Sequence, residues 1–79
     1  MMKTMTCKQL GGACDEAFTA DTFHEITEMS KAHGMAMFQK QDQQHLAAMQ
    51  QVMAMMQDPD LLEEWSDSKQ KEFDDLAED

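Results

Sequence analysis

A chain of 79 residues has room for one domain whose hydrophobic core is barely sufficient by itself. Such a chain must spend its apolar residues economically or find another means of holding together. No apolar run approaches the ~20 residues of a bilayer span. The opening Met1-Met2-Lys3-Thr4-Met5-Thr6-Cys7 lacks the apolar centre of a secretory signal. A cytoplasmic protein is therefore expected. In that compartment Cys7 and Cys14 are read as thiols or metal ligands rather than as a structural disulfide.

Charge narrows the range of partners. The formal net charge is −10, and it is unevenly placed. Residues 1–57 carry six acids against four lysines, a balance of −2, and residues 58–79 carry ten acids against two lysines, a balance of −8. A surplus of this sign excludes a nucleic-acid-backbone binder, which needs cations to neutralise phosphates. It excludes a polybasic membrane anchor on the same ground. The only proline, Pro59, stands at the junction between the near-neutral body and the acidic tail.

The local patterns predict an α+β domain over 1–79: a short N-terminal β-hairpin packed on a helical hairpin, with a third, acidic helix. The first ten residues alternate with a two-residue period that puts Met5 and Cys7 on one face. Gly11-Gly12 breaks this period and permits positive φ. A second extended piece, Asp15 to Ala20 around Phe18, is expected to return antiparallel, completing a hairpin region over 1–20. Thr22-Phe23-His24-Glu25 has the form of a capping box, which opens a helix over 22–40 with Phe23, Ile26, Ser30, His33 and Met37 on its inner stripe. Gly34 falls inside this helix. Asp42 opens a second helix over 42–57, with His45, Met49, Val52 and Met56 on one stripe. Asp58-Pro59-Asp60 ends it, and Asp60 is expected to cap a third helix over 60–76 with Leu61, Leu62, Trp65, Phe73 and Leu76 as its apolar face.

The residues able to carry chemistry are few: Cys7, Cys14, His24, His33 and His45. Two thiolates and two imidazoles are a usual shell for a tetrahedral zinc, although Cys7-x6-Cys14 is not the close knuckle spacing. A hairpin would bring the two thiols together across the diglycine turn. At 100° per residue, His24 and His33 fall on opposite faces of one helix. His24 shares the polar side with Glu25 and Glu28 and reads as an exposed residue. His33 lies on the apolar stripe, and a helical hairpin turning near Gln41 would bring His45 into the same space. From the residues alone, the pair reads first as buried, hydrogen-bonded histidines and second as ligands.

From Lys3 to about Met37 the chain resembles a bacterial family of predicted small metal-binding proteins, otherwise a domain of unknown function. Cys7, the glycine-containing loop, Cys14-Asp15, the Thr22-x-x-Glu25 helix start and His33 carry the resemblance. It implies a short two-stranded piece followed by a helix, with two cysteines and two histidines as ligands. At the position of the family's second histidine this chain has Phe38, which cannot ligate a metal. Either His45 takes over from the next helix, a carboxylate or water completes the shell, or metal is held poorly. The expected set is Cys7, Cys14, His33 and His45 around zinc or another divalent metal, in a structural or storage role and without catalysis.

The same residues admit other readings. The ten methionines suit Cu(I) as thioethers, but a methionine stripe at helical spacing is more often adaptable core or a tolerant groove. Met29, Met35 and Met37 are expected to complete that interior. Cys7 and Cys14 together make a thiol redox sensor, although Asp15 and Glu16 beside Cys14 disfavour its thiolate. The acidic 60–76 helix is a possible protein-interaction element through its apolar face. No Ser-His-Asp or Cys-His-Asn order stands out, and an enzyme is not expected.

Overall fold

The computed structural model describes residues 1–79. It has the order β1 (Lys3–Thr6), a 3₁₀ turn (Lys8–Leu10), β2 (Ala17–Ala20), α1 (Phe23–Gln39), α2 (Gln43–Met56) and α3 (Pro59–Asp75). The expected α+β arrangement is present, a two-stranded antiparallel hairpin followed by three helices. In the hairpin Lys3 faces Ala20, Thr4 faces Thr19, Met5 faces Phe18 and Thr6 faces Ala17. The alternation that predicted a strand is visible in its burial: Met5, Phe18 and Ala20 point inward, while Ala17 and Thr19 face water. On the wet face the Thr4 and Thr19 hydroxyls share a hydrogen bond of 2.8 Å, a cross-strand pair of the kind that fixes register.

The strands are shorter than the sequence period suggests. Cys7 continues the alternation, yet its backbone is helical (φ −50°, ψ −44°), and it caps the 3₁₀ turn instead of ending the strand. Gly11 closes that turn at φ 91°, a left-handed conformation that glycine adopts without steric cost. Cys14 lies in the loop ahead of β2 rather than opening the strand.

The three helices begin at side-chain caps, as amides at a helix start require. Thr22 Oγ1 accepts from the Glu25 amide at 3.2 Å and donates to Glu25 Oε1 at 3.0 Å, a closed loop between the two capping-box residues. Gly34 is carried inside α1, as the continuing helix formers predicted. Asp42 caps α2. The start of α3 differs from expectation by two residues. Asp58 is the cap, accepting from the Asp60 and Leu61 amides, and Pro59 occupies the first helical position, where its missing N–H costs nothing. Leu61 then lies in the first turn, at the margin of the apolar face, and is 49% exposed instead of packed.

The turn between α1 and α2 has no glycine to announce it. The Gln41 amide donates to Phe38 O at 3.0 Å and the Asp42 amide to Met37 O at 3.2 Å, while Gln41 sits at φ 58°. This is a Schellman closure with glutamine in the left-handed position that glycine usually holds. It reverses the chain tightly enough to bring the start of α2 beside the inner stripe of α1.

The core is small. Eight residues are buried, namely Met5, Cys7, Leu10, Phe18, Ala20, Ile26, His45 and Phe73, so two of the proposed ligands belong to the packed interior. Phe73 attaches α3 to the hairpin. Its ring lies 5.9 Å from that of Phe23, and the Lys3 ammonium sits 5.1 Å above it while donating to the Phe73 and Asp74 carbonyls at 3.1 and 3.0 Å. The methionine expectation is corrected in part. Met37 is half-buried, but Met29 and Met35 are exposed, because the inner side of α1 is already taken by Ile26, Ser30 and His33. No helix is long and apolar enough to cross a membrane.

The left-handed conformation of a residue other than glycine costs about 1–2 kcal/mol. Gln41→Gly should therefore stabilise the fold by up to about 1 kcal/mol, a rise of roughly 4–8 °C in Tm for a domain of this size. Thermal denaturation followed by circular dichroism checks this, and a lowered Tm would contradict the assigned turn.

Candidate metal centre

The loop between the strands holds Cys7 by nearly every polar atom it owns. Its amide donates to Glu16 O at 2.8 Å, and its carbonyl accepts from the Leu10 and Gly12 amides at 3.1 and 2.8 Å. The Lys8 amide donates to Cys14 O at 2.9 Å, which draws the second cysteine back beside the first. The chain folds this way because Gly12 has no side chain. A Cβ there would overlap Cys7 Sγ and stand 3.0 Å from the Cys7 carbonyl oxygen. The diglycine thus does two separate jobs, Gly11 for positive φ and Gly12 for close approach.

Helix geometry delivers the imidazoles. His33, about three turns into a helix capped at Thr22, points from α1 toward the loop, and its Nε2 lies 3.2 Å from Cys14 Sγ. His45 is in the first turn of α2, 6% exposed, with Nε2 3.7 Å from Cys7 Sγ. The two rings meet edge to face at 5.2 Å between centroids, and Phe18 packs against His33 in the same manner at 5.7 Å. One ligand atom from each of Cys7, Cys14, His33 and His45 falls within a set no wider than 4.8 Å. A tetrahedral zinc with Zn–S near 2.3 Å and Zn–N near 2.0–2.1 Å places sulfur and nitrogen about 3.6 Å apart. The observed 3.2 and 3.7 Å lie on either side of that edge length.

Asp42 supplies the orienting contact. Its Oδ2 accepts the His45 amide at 3.0 Å, the helix cap, and also the His45 Nδ1–H at 2.6 Å. A carboxylate only accepts, so the shared proton belongs to Nδ1. In the neutral ring Nε2 then carries the lone pair that faces Cys7. Carboxylate–histidine pairs of this kind fix the tautomer and raise the basicity of a ligating imidazole. The same contact, ahead of the cost of burial, raises the His45 pKa above its ordinary value and lowers that of Asp42.

The thiols are differentiated. Burial pushes Cys7 up, but hydrogen bonds from the Cys14 amide, the His45 ring and the Ala13 amide outweigh it, and the thiol is held below its usual range. Cys14 receives the Glu16 amide, which favours its thiolate. Burial, the neighbouring Cys7 sulfur and the Glu16 charge oppose this and raise it. Amides aimed at the Cys7 sulfur favour its thiolate, the form that ligates a metal.

The four residues expected as ligands are thus brought together, and His24 stands apart on the exposed side of α1. Phe38, at the position where the resembling family has a histidine, is 57% exposed and outside the cluster. The orienting role of Asp42 went unseen in the sequence, although its signal was there: an N-cap aspartate three residues before a histidine places both on one side of the first turn.

Gly12→Ala forces a methyl group against the Cys7 sulfur and should destabilise the protein by about 1–3 kcal/mol, the usual cost of overpacking. Urea denaturation measures the difference, and an unchanged midpoint would disprove the close approach.

The chain matches no family model, no curated protein and no solved structure. What it can do is therefore read from the geometry of the cluster itself.

Proposed function

We propose that this is a small cytoplasmic metal-binding protein that holds one zinc ion through Cys7 Sγ, Cys14 Sγ, His33 Nε2 and His45 Nε2. The observation that carries the reading is the convergence of these four atoms, from the loop, α1 and α2, on a space no wider than 4.8 Å. Thiolate and neutral imidazole are the ligands zinc prefers, and Asp42 supports one of them from behind. The resemblance over residues 3–37 points the same way, with His45 in the role that Phe38 cannot fill. A shell closed by four protein ligands leaves no coordination position for a substrate. The role is structural or storage, and no catalytic step is assigned.

A structural role follows from the small core. The metal would tie the hairpin loop to α1 and α2, segments that otherwise meet through few buried side chains. Because the site forms only in the folded chain, binding adds to folding stability. With free metal 1,000-fold above Kd the gain is about 4 kcal/mol.

Protein stripped of metal and reloaded with zinc should retain one equivalent by elemental analysis and melt at a higher temperature than the stripped form. Cys14→Ala should lose stoichiometric binding. Absence of bound metal in the reloaded wild type would refute the reading. Asp42→Asn keeps an acceptor oxygen for the helix cap but removes the carboxylate charge behind the imidazole. It should leave the metal-free melting temperature nearly unchanged and weaken zinc by about 10–100-fold in competition with a chromophoric chelator.

A further inference from the structure

Cys7 and Cys14 are the only cysteines of the chain, and both are free. Their sulfurs lie within 4.8 Å of each other, so closure to a disulfide bond of about 2 Å takes a shift of less than about 3 Å. Backbone contacts alone hold the pair together. The Cys7 amide donates to Glu16 O at 2.8 Å and the Lys8 amide to Cys14 O at 2.9 Å, which closes the loop at both thiols. The two differ in access. Cys7 is 4% exposed, whereas Cys14 is half-buried in the loop ahead of β2. A small oxidant therefore meets Cys14 first.

Resting on the zinc reading of these ligands, we propose that a hydroperoxide oxidises the pair to a Cys7–Cys14 disulfide and so discharges the metal. Both sulfurs are thiolates while a metal is bound, which removes the objection that Asp15 and Glu16 raise to a free Cys14 thiolate. Cys14 Sγ attacks a peroxide oxygen, the O–O bond breaks, and the sulfur becomes a sulfenic acid. The departing alkoxide or hydroxide takes a proton from water. Cys7 Sγ then attacks the Cys14 sulfur, the S–O bond breaks as hydroxide leaves and is protonated, and the S–S bond forms. Two electrons pass from the sulfurs to the peroxide. A disulfide no longer offers thiolate, and only His33 and His45 remain as ligands. Both border a cleft of about 480 Å³ between α1, α2 and Trp65 of α3, lined also by Met49, Met53 and Met56, which gives the ion a way to solvent. The ties from the loop to α1 and α2 leave with it.

The test uses the full zinc-loaded chain with hydrogen peroxide in modest excess. A chromophoric indicator reads free zinc, and alkylation with intact mass reads the thiols. Loss of one zinc per chain is expected, together with loss of both alkylatable thiols and a monomer lighter by about 2 Da. A phosphine reductant should restore zinc binding. In Cys7→Ser a 1,3-dione should trap the sulfenic acid on Cys14, and in Cys14→Ser far less should be trapped on Cys7. Equal trapping would overturn the order of attack, and the wild-type readouts stand even if a serine variant does not fold. Thiols left free, joined between chains or driven to sulfinic acid would overturn the proposal. So would zinc loss with methionine sulfoxide alone, heavier by about 16 Da for each oxygen. A chain that holds no zinc before oxidant is added fails the metal reading and this one with it. One that holds zinc and keeps it under oxidant fails only this one.

Discussion

The contact on which the site and much of the fold depend is the one between Asp42 and His45. A single carboxylate oxygen accepts both the backbone amide and the ring Nδ1–H of His45. The amide bond starts α2 at this residue. The ring bond turns the imidazole so that Nε2 faces Cys7. Helix initiation and ligand orientation therefore rest on the same carboxylate oxygen. The Schellman turn just before Asp42 completes the constraint, because it decides how far along α1 the second helix begins. The buried histidine and the stripe residue His33 come within ring contact for that reason.

The other half of the cluster is organised by backbone. Cys7 is among the least exposed residues in the protein, and its amide, carbonyl and sulfur all have partners. A buried sulfur surrounded by N–H donors can bear negative charge, whereas the same sulfur in a purely apolar pocket could not. Cys14 receives the Glu16 amide, but burial, and after it the Cys7 sulfur and the Glu16 charge, push it the other way. The asymmetry comes from burial and from the donors each sulfur receives, and a divalent cation held between the two would favour both thiolates.

Those features of the chain that depend on local chemistry were legible in the sequence. Thr22 and Asp42 mark helix starts by their own hydrogen-bonding capacity, whereas Asp58-Pro59, read as the end of α2, also starts α3. A rotation of 100° per residue was enough to separate His24 from His33. The inward face of β1 also followed from alternation, but the alternation overran. Met5 and Cys7 share a period that continues past Thr6, and nothing in the side-chain pattern records that the backbone turns helical at Cys7. The requirement for Gly12 arises from a sulfur five residues away in sequence, and the left-handed Gln41 from the packing of two helices. Both are products of tertiary approach. Methionine is the remaining case. Its hydrophobicity predicts burial, yet Met35, Met53 and Met56 are mostly exposed, because a chain this small has too little mass to cover every apolar side chain it carries.

That shortage explains the position of the negative charge. The body needs the apolar side of α3, which it holds through Phe73 and the two carbonyls bound by Lys3, a cation placed where the helix dipole is negative. The carboxylates of α3 are then necessarily on the outside. An exposed methionine cleft on a domain of this size would ordinarily invite copies to associate. A field of one sign around every copy opposes that association. The acidic helix sets that field against closure of the cleft by a second copy of the chain.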